Sequence, residues 1–324
     1  MPIDLERLIR LRRYEDPGAG IFEEFLEPRL GPGRALALLS APLGEPRDLG
    51  WVISPSVGPE HGNLRRLETL LARGLASAGF PTLRIRPDLH PVHGAIGEID
   101  VSARIAEVNE AVTILSEESG VRAVGLLGVL FGGTVAALTA ERLGAPGLAL
   151  IEPVSRGKRY IRETIRRQAI AELMASVDVA ADGGSPETDE PELAQRPLEE
   201  LAAEGQTSIR GLRLSQSEYD RISEIDLARD IRTFRGSSVL IGISPSGSVP
   251  TGLGKLHAQL EVLGGHVTLE MLQDPLPAPF GEYYYRNAGP VRIDTRLELD
   301  RRLTEVTTAW AVDAFGDKSR EAAA

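Results

Sequence analysis

Short, uninterrupted apolar runs alternate with longer stretches of helical periodicity along most of this chain, and that rhythm narrows its fold more than any other feature. The runs at 34–40 (RALALLS), 50–54 (GWVIS), 82–86 (TLRIR), 122–128 (RAVGLLG) and 147–151 (GLALI) predict strands, as do 238–243 (SVLIGI) and 266–271 (HVTLEM). Residues apolar at consecutive rather than alternate positions suit strands covered on both faces. Helical patterns fall at 64–78, 101–118, 131–143, 251–263 and 294–315. In the first, Leu67, Leu70, Leu71 and Leu75 recur at helical spacing, and Gly79 stands where a C-terminal cap belongs. Strand, helix and strand in succession build βαβ units, so the expected class is α/β with a mostly parallel central sheet.

The rhythm breaks between 154 and 235, where no strand is predicted and charge separates into blocks. Residues 156–167 (RGKRYIRETIRR) carry six bases and one acid, whereas 182–204 carry eight acids and one base, Arg196. The expected organisation is an N-terminal extension over 1–19, a core built from 20–153 and 236–316, a helical insertion or lid over 154–235, and a disordered tail over 317–324. The acidic stretch 182–204 is expected to be a loop of the insertion.

Composition removes several classes of function. The 324 residues include no cysteine, which excludes disulfides, thiolate metal sites and a cysteine nucleophile. A net charge of -11 with 5% aromatic residues argues against a nucleic-acid partner or an anionic membrane surface. No apolar run approaches the roughly 18 residues of a membrane span, and the N-terminus MPIDLERLIRLRRYEDPG lacks the apolar stretch of a signal peptide. A cytoplasmic location is the resulting expectation. No phosphate-binding G-x-x-x-x-G-K-[ST] occurs, and Gly252-Leu253-Gly254-Lys255-Leu256-His257 lacks a third glycine, so no nucleotide cofactor is expected.

The most informative motif is Gly128-Val129-Leu130-Phe131-Gly132-Gly133, at the end of a predicted strand and the start of a predicted helix. This is the context of a G-x-S-x-G nucleophile elbow, with leucine at the nucleophile position. The chain resembles the α/β-hydrolases, and among them the hydrolase-like proteins associated with bacterial exosortase systems. Gly20-Ile-Phe-Glu-Glu-Phe-Leu26, Ala41-Pro-Leu-Gly44, Ser54-Pro-Ser56, Asn63-Leu-Arg-Arg66, Gly79-Phe80 and Pro87-Asp-Leu89 carry the resemblance before the elbow. After it come Glu152-Pro-Val154, Gly157, Tyr160, Ile161, Ile209-Arg-Gly-Leu-Arg-Leu-Ser215 and Ile225-Asp-Leu227, so the similarity spans roughly 20–315. It implies an α/β-hydrolase fold with an inserted helical lid and a degenerate catalytic triad. Ser246 stands where the acid belongs, and the loop 272–287 (LQDPLPAPFGEYYYRN) that should hold the histidine has none. Part of that subfamily also lacks the elbow serine.

What remains is chemistry without a nucleophile. His61, His90 and His93 fall on two loops expected at the carboxyl ends of the strands, and are candidates for acid–base catalysis, with Asp88 and Glu152 as orienting carboxylates. Asp88, His90 and His93 are also metal-ligand types, but their spacing matches no recognised zinc motif, and no metal is expected. Leu130 and Phe131 would form an apolar floor, with the Phe131 N–H free to polarise an oxygen. Ser54, Ser56, Arg156, Tyr160, Ser246 and Tyr284 complete the substrate-binding candidates. The expected function is a non-hydrolytic, cofactor-independent enzyme of small-molecule biosynthesis acting on an apolar or aromatic substrate by proton transfer. The alternatives are a non-catalytic protein binding a ligand or partner, and a divergent hydrolase using Ser54, Ser56, Ser244 or Ser246. A homodimer is the assembly to test.

Overall fold

The computed structural model describes residues 12–30, 33–86, 100–179, 190–209, 212–274 and 293–316. The strands run β1 (Arg13–Asp16), β2 (Ile21–Leu26), β3 (Arg29–Leu30), β4 (Gly33–Arg34), β5 (Leu36–Pro42), β6 (Leu49–Ser54), β7 (Thr82–Arg86), β8 (Ala123–Val129), β9 (Gly147–Ile151), β10 (Gln206–Ile209), β11 (Leu212–Ser215), β12 (Ser237–Ser244) and β13 (Val267–Gln273). The helices are α1 (Gly58–Ser77), α2 (Val101–Ser119), α3 (Phe131–Leu143), α4 (Gly157–Val179), α5 (Glu190–Glu204), α6 (Gln216–Glu224), α7 (Leu227–Asp230), α8 (Thr251–Val262) and α9 (Ile293–Phe315).

One nine-stranded sheet has the order β1-β2-β5-β7-β6-β8-β9-β12-β13. From β7 to β13 neighbouring strands are parallel, while β1, β2 and β5 are antiparallel and β5 joins β7 antiparallel. The expected mostly parallel sheet is what the chain forms. Its continuous apolar strands feed two cores, one on each face. Leu126 packs on one side with Val108, Val135 and Leu256 from α2, α3 and α8. Leu127, the next residue, packs on the other with Leu67 and Leu71 of α1 and Leu303 of α9. Successive residues serving opposite cores is the period of two that a doubly covered strand requires.

Three expectations need correction. Arg13–Asp16, assigned to an extension, pairs with Ile21–Glu24 and forms the edge of the sheet. The stretch 154–235 is not free of strands, because β10 and β11 form an antiparallel ladder from Gln206↔Ser215 to Ile209↔Leu212. The acidic segment is not all loop either: Glu190–Glu204 is helical, and Arg196 of that helix holds Glu172 of α4 at 2.5 Å. The tail 317–324 lies outside the described residues. Among the described residues no helix is long and apolar enough to cross a membrane.

Candidate functional site

The site grows out of the turn between β8 and α3. Leu130 sits at its apex with φ 51° and ψ -123°, a left-handed backbone that costs a side-chain-bearing residue about 1–3 kcal/mol. The surroundings fix it there. Its N–H donates to the Ile151 carbonyl at 3.0 Å, and its own carbonyl accepts from Gly133 and Val154. Two glycines permit the close approach. A Cβ on Gly128 would lie 2.3 Å from the Gly132 carbonyl oxygen, and one on Gly132 would lie 2.5 Å from that of Ser54. The glycines are therefore dictated by backbone-to-backbone contact, as the motif implied.

Directly after the apex, Phe131 opens α3. The fold leaves its N–H without an intrahelical partner and pointing along the positive end of the helix. A residue that the sequence reading passed over takes that donor. The Glu60 carboxyl, in the first turn of α1, accepts from the Phe131 N–H, the Tyr160 hydroxyl and the Ser56 hydroxyl, the last at 2.7 Å. Three elements thus converge on one carboxylate: the β6–α1 connection, the elbow and α4. Burial drives the Glu60 carboxyl above the usual range, only partly offset by the Ser56 and Tyr160 hydroxyls, the charge of Arg167 on α4 and the Phe131 N–H. Tyr160 also lies against Phe131, ring centroids 5.2 Å apart, with Phe131 fully buried. The sequence signal for Glu60 was Pro59. A proline suits the first turn of a helix, and here it extends α1 back to Gly58 through what read as a loop.

A second carboxyl flanks the turn. Glu152 follows the Ile151 carbonyl that holds Leu130, and it too has a left-handed backbone, φ 46°. Its Oε1 accepts the Ile243 N–H at 2.5 Å, and burial raises it above the ordinary range against that one hydrogen bond. Glu152 is therefore anchored to β12.

The remaining candidates separate. Ser54 is buried at 1% exposure, and its hydroxyl has no partner among the described residues. Ser56 is engaged by Glu60. Ser246 is exposed and hydrogen-bonds Ser248 at 2.7 Å. Arg156 is exposed and pairs with Asp226, its nitrogen 3.7 Å from the carboxylate. His61 lies on the backbone of α1, not in a loop, and its side chain falls outside the described residues. Asp88, His90, His93 and Tyr284 also lie outside them. Among the described residues no cluster of three His, Cys, Asp or Glu side chains is placed to hold a metal ion.

No protein-family model matches the sequence, and no curated protein matches it either. Similarity emerges in three dimensions. Est1E from Butyrivibrio proteoclasticus, solved with ferulic acid bound, aligns with 90% of this chain and 100% of its own at 12% identity and a TM-score of 0.57. The Pyrobaculum calidifontis esterase aligns over 90% of this chain and 85% of its own, with 15% identity and a TM-score of 0.54. EstE1, a thermostable carboxylesterase from a metagenomic library, covers 90% and 89% respectively at 10% identity and a TM-score of 0.53. At such identities the likeness defines the architecture alone. The chain has the α/β-hydrolase fold, with Leu130 at the apex of its β8–α3 elbow.

Proposed function

We propose that this protein is a non-hydrolytic, cofactor-independent enzyme of small-molecule biosynthesis. It orients an apolar or aromatic substrate and rearranges it by proton transfer, in a cyclisation, carbon–carbon bond formation or related step. One observation carries the reading: the elbow keeps its strained apex and both glycines while the apex residue is Leu130. A leucine has no lone pair with which to attack a carbonyl, so no covalent acyl intermediate forms at that position. Phe131 is wholly enclosed in the core, but the apolar Leu130 side chain at the apex favours an apolar occupant, and holding one in a reactive geometry supplies several kcal/mol without a nucleophile. Two carboxyls raised by burial, Glu60 and Glu152, lie beside the turn, the kind of perturbation that marks acid–base sites.

A fluorophosphonate probe and p-nitrophenyl acetate test this reading. The wild-type chain is expected to remain unlabelled and to turn over the ester no faster than a serum albumin blank. Labelling of Ser54, Ser56, Ser244 or Ser246 would overturn it in favour of a divergent hydrolase.

One observation favours a second reading, a non-catalytic ligand-binding protein. The Phe131 N–H, the donor that would stabilise a developing oxyanion, is already engaged by Glu60. If substitutions around the elbow alter only ligand affinity, that reading replaces the first.

A further inference from the structure

The geometry points to Glu60 as the catalytic acid–base residue of this site, with Ser56 and Tyr160 as the residues that position it. The inference rests on the proton-transfer reading above and gives it an atom. An ionised carboxylate offers about four acceptor sites on its two oxygens. In this structure three donors, the Ser56 hydroxyl, the Tyr160 hydroxyl and the Phe131 N–H, fill three of them. Among the described residues these donors hold the carboxylate in one orientation and leave one acceptor position without a partner, which is the arrangement a general base needs. Glu60 is only half-buried as a residue, while its carboxyl is withdrawn from water.

Its setting also matches the task. The group lies at the N-terminal ends of two helices, its own α1 and the elbow helix α3, whose dipoles favour the carboxylate. The removal from water acts the other way and raises its proton affinity above that of an ordinary carboxylate, which makes it a stronger base. The groups facing it are Ser56 before α1, Phe131 on α3, and Tyr160 and Arg167 on α4.

The step is a single proton transfer. The Glu60 carboxylate takes a proton from a carbon next to a carbonyl, the C–H electron pair moves into the enolate, and the carboxylic acid returns a proton to carbon. Phenylacetone is a suitable probe, being small, apolar and aromatic, with an acidic benzylic position. In D2O the Glu60 carboxylic acid exchanges its proton with solvent before returning it to carbon, so turnover replaces that hydrogen by deuterium, read by proton NMR.

The wild type is expected to exchange the probe faster than an equal concentration of serum albumin, and Glu60→Gln to lose about a hundredfold or more of that excess. Glu60→Asp keeps the charge and the donors' need for an anion but withdraws the carboxyl, so it is expected to stay folded and exchange slowly. Tyr160→Phe removes a hydrogen bond that favours the ionised form. Its acid limb in the pH–rate profile is expected at higher pH than that of the wild type, a shift a merely structural tyrosine would not produce. Full exchange by folded Glu60→Gln overturns the assignment and leaves proton transfer standing. No wild-type exchange above the blank also overturns it, while labelling by fluorophosphonate overturns the underlying function separately.

Discussion

Replacing Gly132 by alanine asks whether the elbow is set by steric contact. Gly132 is the second residue of α3, where propensity alone favours alanine over glycine by about 1 kcal/mol. The surroundings oppose it. A Cβ at this position would lie 2.5 Å from the Ser54 carbonyl oxygen and 3.0 Å from both the Pro55 carbonyl carbon and the Ser56 nitrogen. Carbon–oxygen contacts ordinarily begin near roughly 3.3 Å, so α3 and the end of β6 must part by about 0.8 Å. All three atoms are backbone, and no side chain can rotate out of the way. Overpacking costs about 1–3 kcal/mol, and rigid chain on both sides puts this case at the upper end. After the propensity gain, a net loss of about 2 kcal/mol is expected. Gly62 on α1 is the control, because a Cβ there meets nothing within 4 Å and alanine should stabilise by about 0.5–1 kcal/mol. Guanidinium unfolding followed by tryptophan fluorescence reads both variants. Trp51 is fully buried with its ring centroid 5.6 Å from that of Trp310, so the signal reports one core. The midpoint should fall for Gly132→Ala and rise for Gly62→Ala. A Gly132→Ala midpoint at or above the wild type would refute the close-contact argument.

Three further outcomes follow from the buried and anchored charges. Burial pushes the Glu141 carboxyl up, but the N–H groups of Arg232, Thr233 and Phe234 and the Thr233 hydroxyl outweigh it and hold it below the usual range. The stability it gives is present above the ordinary carboxylate value and lost as pH falls through the depressed one. Glu141→Gln should therefore cost about 1–3 kcal/mol at neutral pH in urea unfolding, a gap that closes on acidification. Glu152 has the opposite sign, since burial raises it against the Ile243 N–H, and its contribution is lost as pH rises through the raised value. Glu152→Gln keeps a carbonyl acceptor for that N–H and should gain stability over the wild type at neutral and alkaline pH, with no difference in acid. Finally, burial lowers Arg84 to about 10, and Glu23 at 3.4 Å is one of its two counter-charges. Glu23→Gln leaves a cation 7% exposed beside Arg86 and Arg73, and a loss of about 3 kcal/mol is expected, the low end for a broken buried pair because Glu68 still faces it. An unchanged unfolding midpoint would show that water reaches Arg84.

The core strands and most helices were legible because continuous apolar runs and helical spacing have few other physical causes. The runs at 147–151 and 131–143 coincide with β9 and α3. What escaped was structure without an apolar signature. β1 reads Arg-Tyr-Glu-Asp and is mostly exposed, so no hydrophobic alternation betrays it, and its place comes from edge pairing to β2. The start of α1 was hidden by Gly58, Pro59 and Gly62, residues that usually mark loops. That misplacement mattered, since it put Glu60 in a loop beside His61 instead of on a helix aimed at the elbow. The elbow was visible because its glycines are required by geometry that a linear motif records. The partner of its N–H was not, because Glu60 and Phe131 are distant in sequence and only the packing of α1 on the sheet joins them.

That partnership bears on why a strained turn persists around a residue with no nucleophilic atom. The Leu130 backbone costs about 1–3 kcal/mol, and relaxing it would move the first turn of α3. In this structure that turn contributes one of the donors to the Glu60 carboxylate. Loss of the Phe131 N–H would leave Glu60 with two hydroxyl donors and a raised cost of ionisation. The strain at 130 and the charge at 60 are thus coupled: the elbow holds the carboxylate, and the carboxylate holds the elbow. The coupling has a measurable consequence. Leu130→Gly relieves the backbone strain but frees the turn to move, so the double variant with Glu60→Gln should differ from the sum of the single variants by about 0.5–3 kcal/mol in unfolding free energy. Strict additivity would mean that the two features merely coexist.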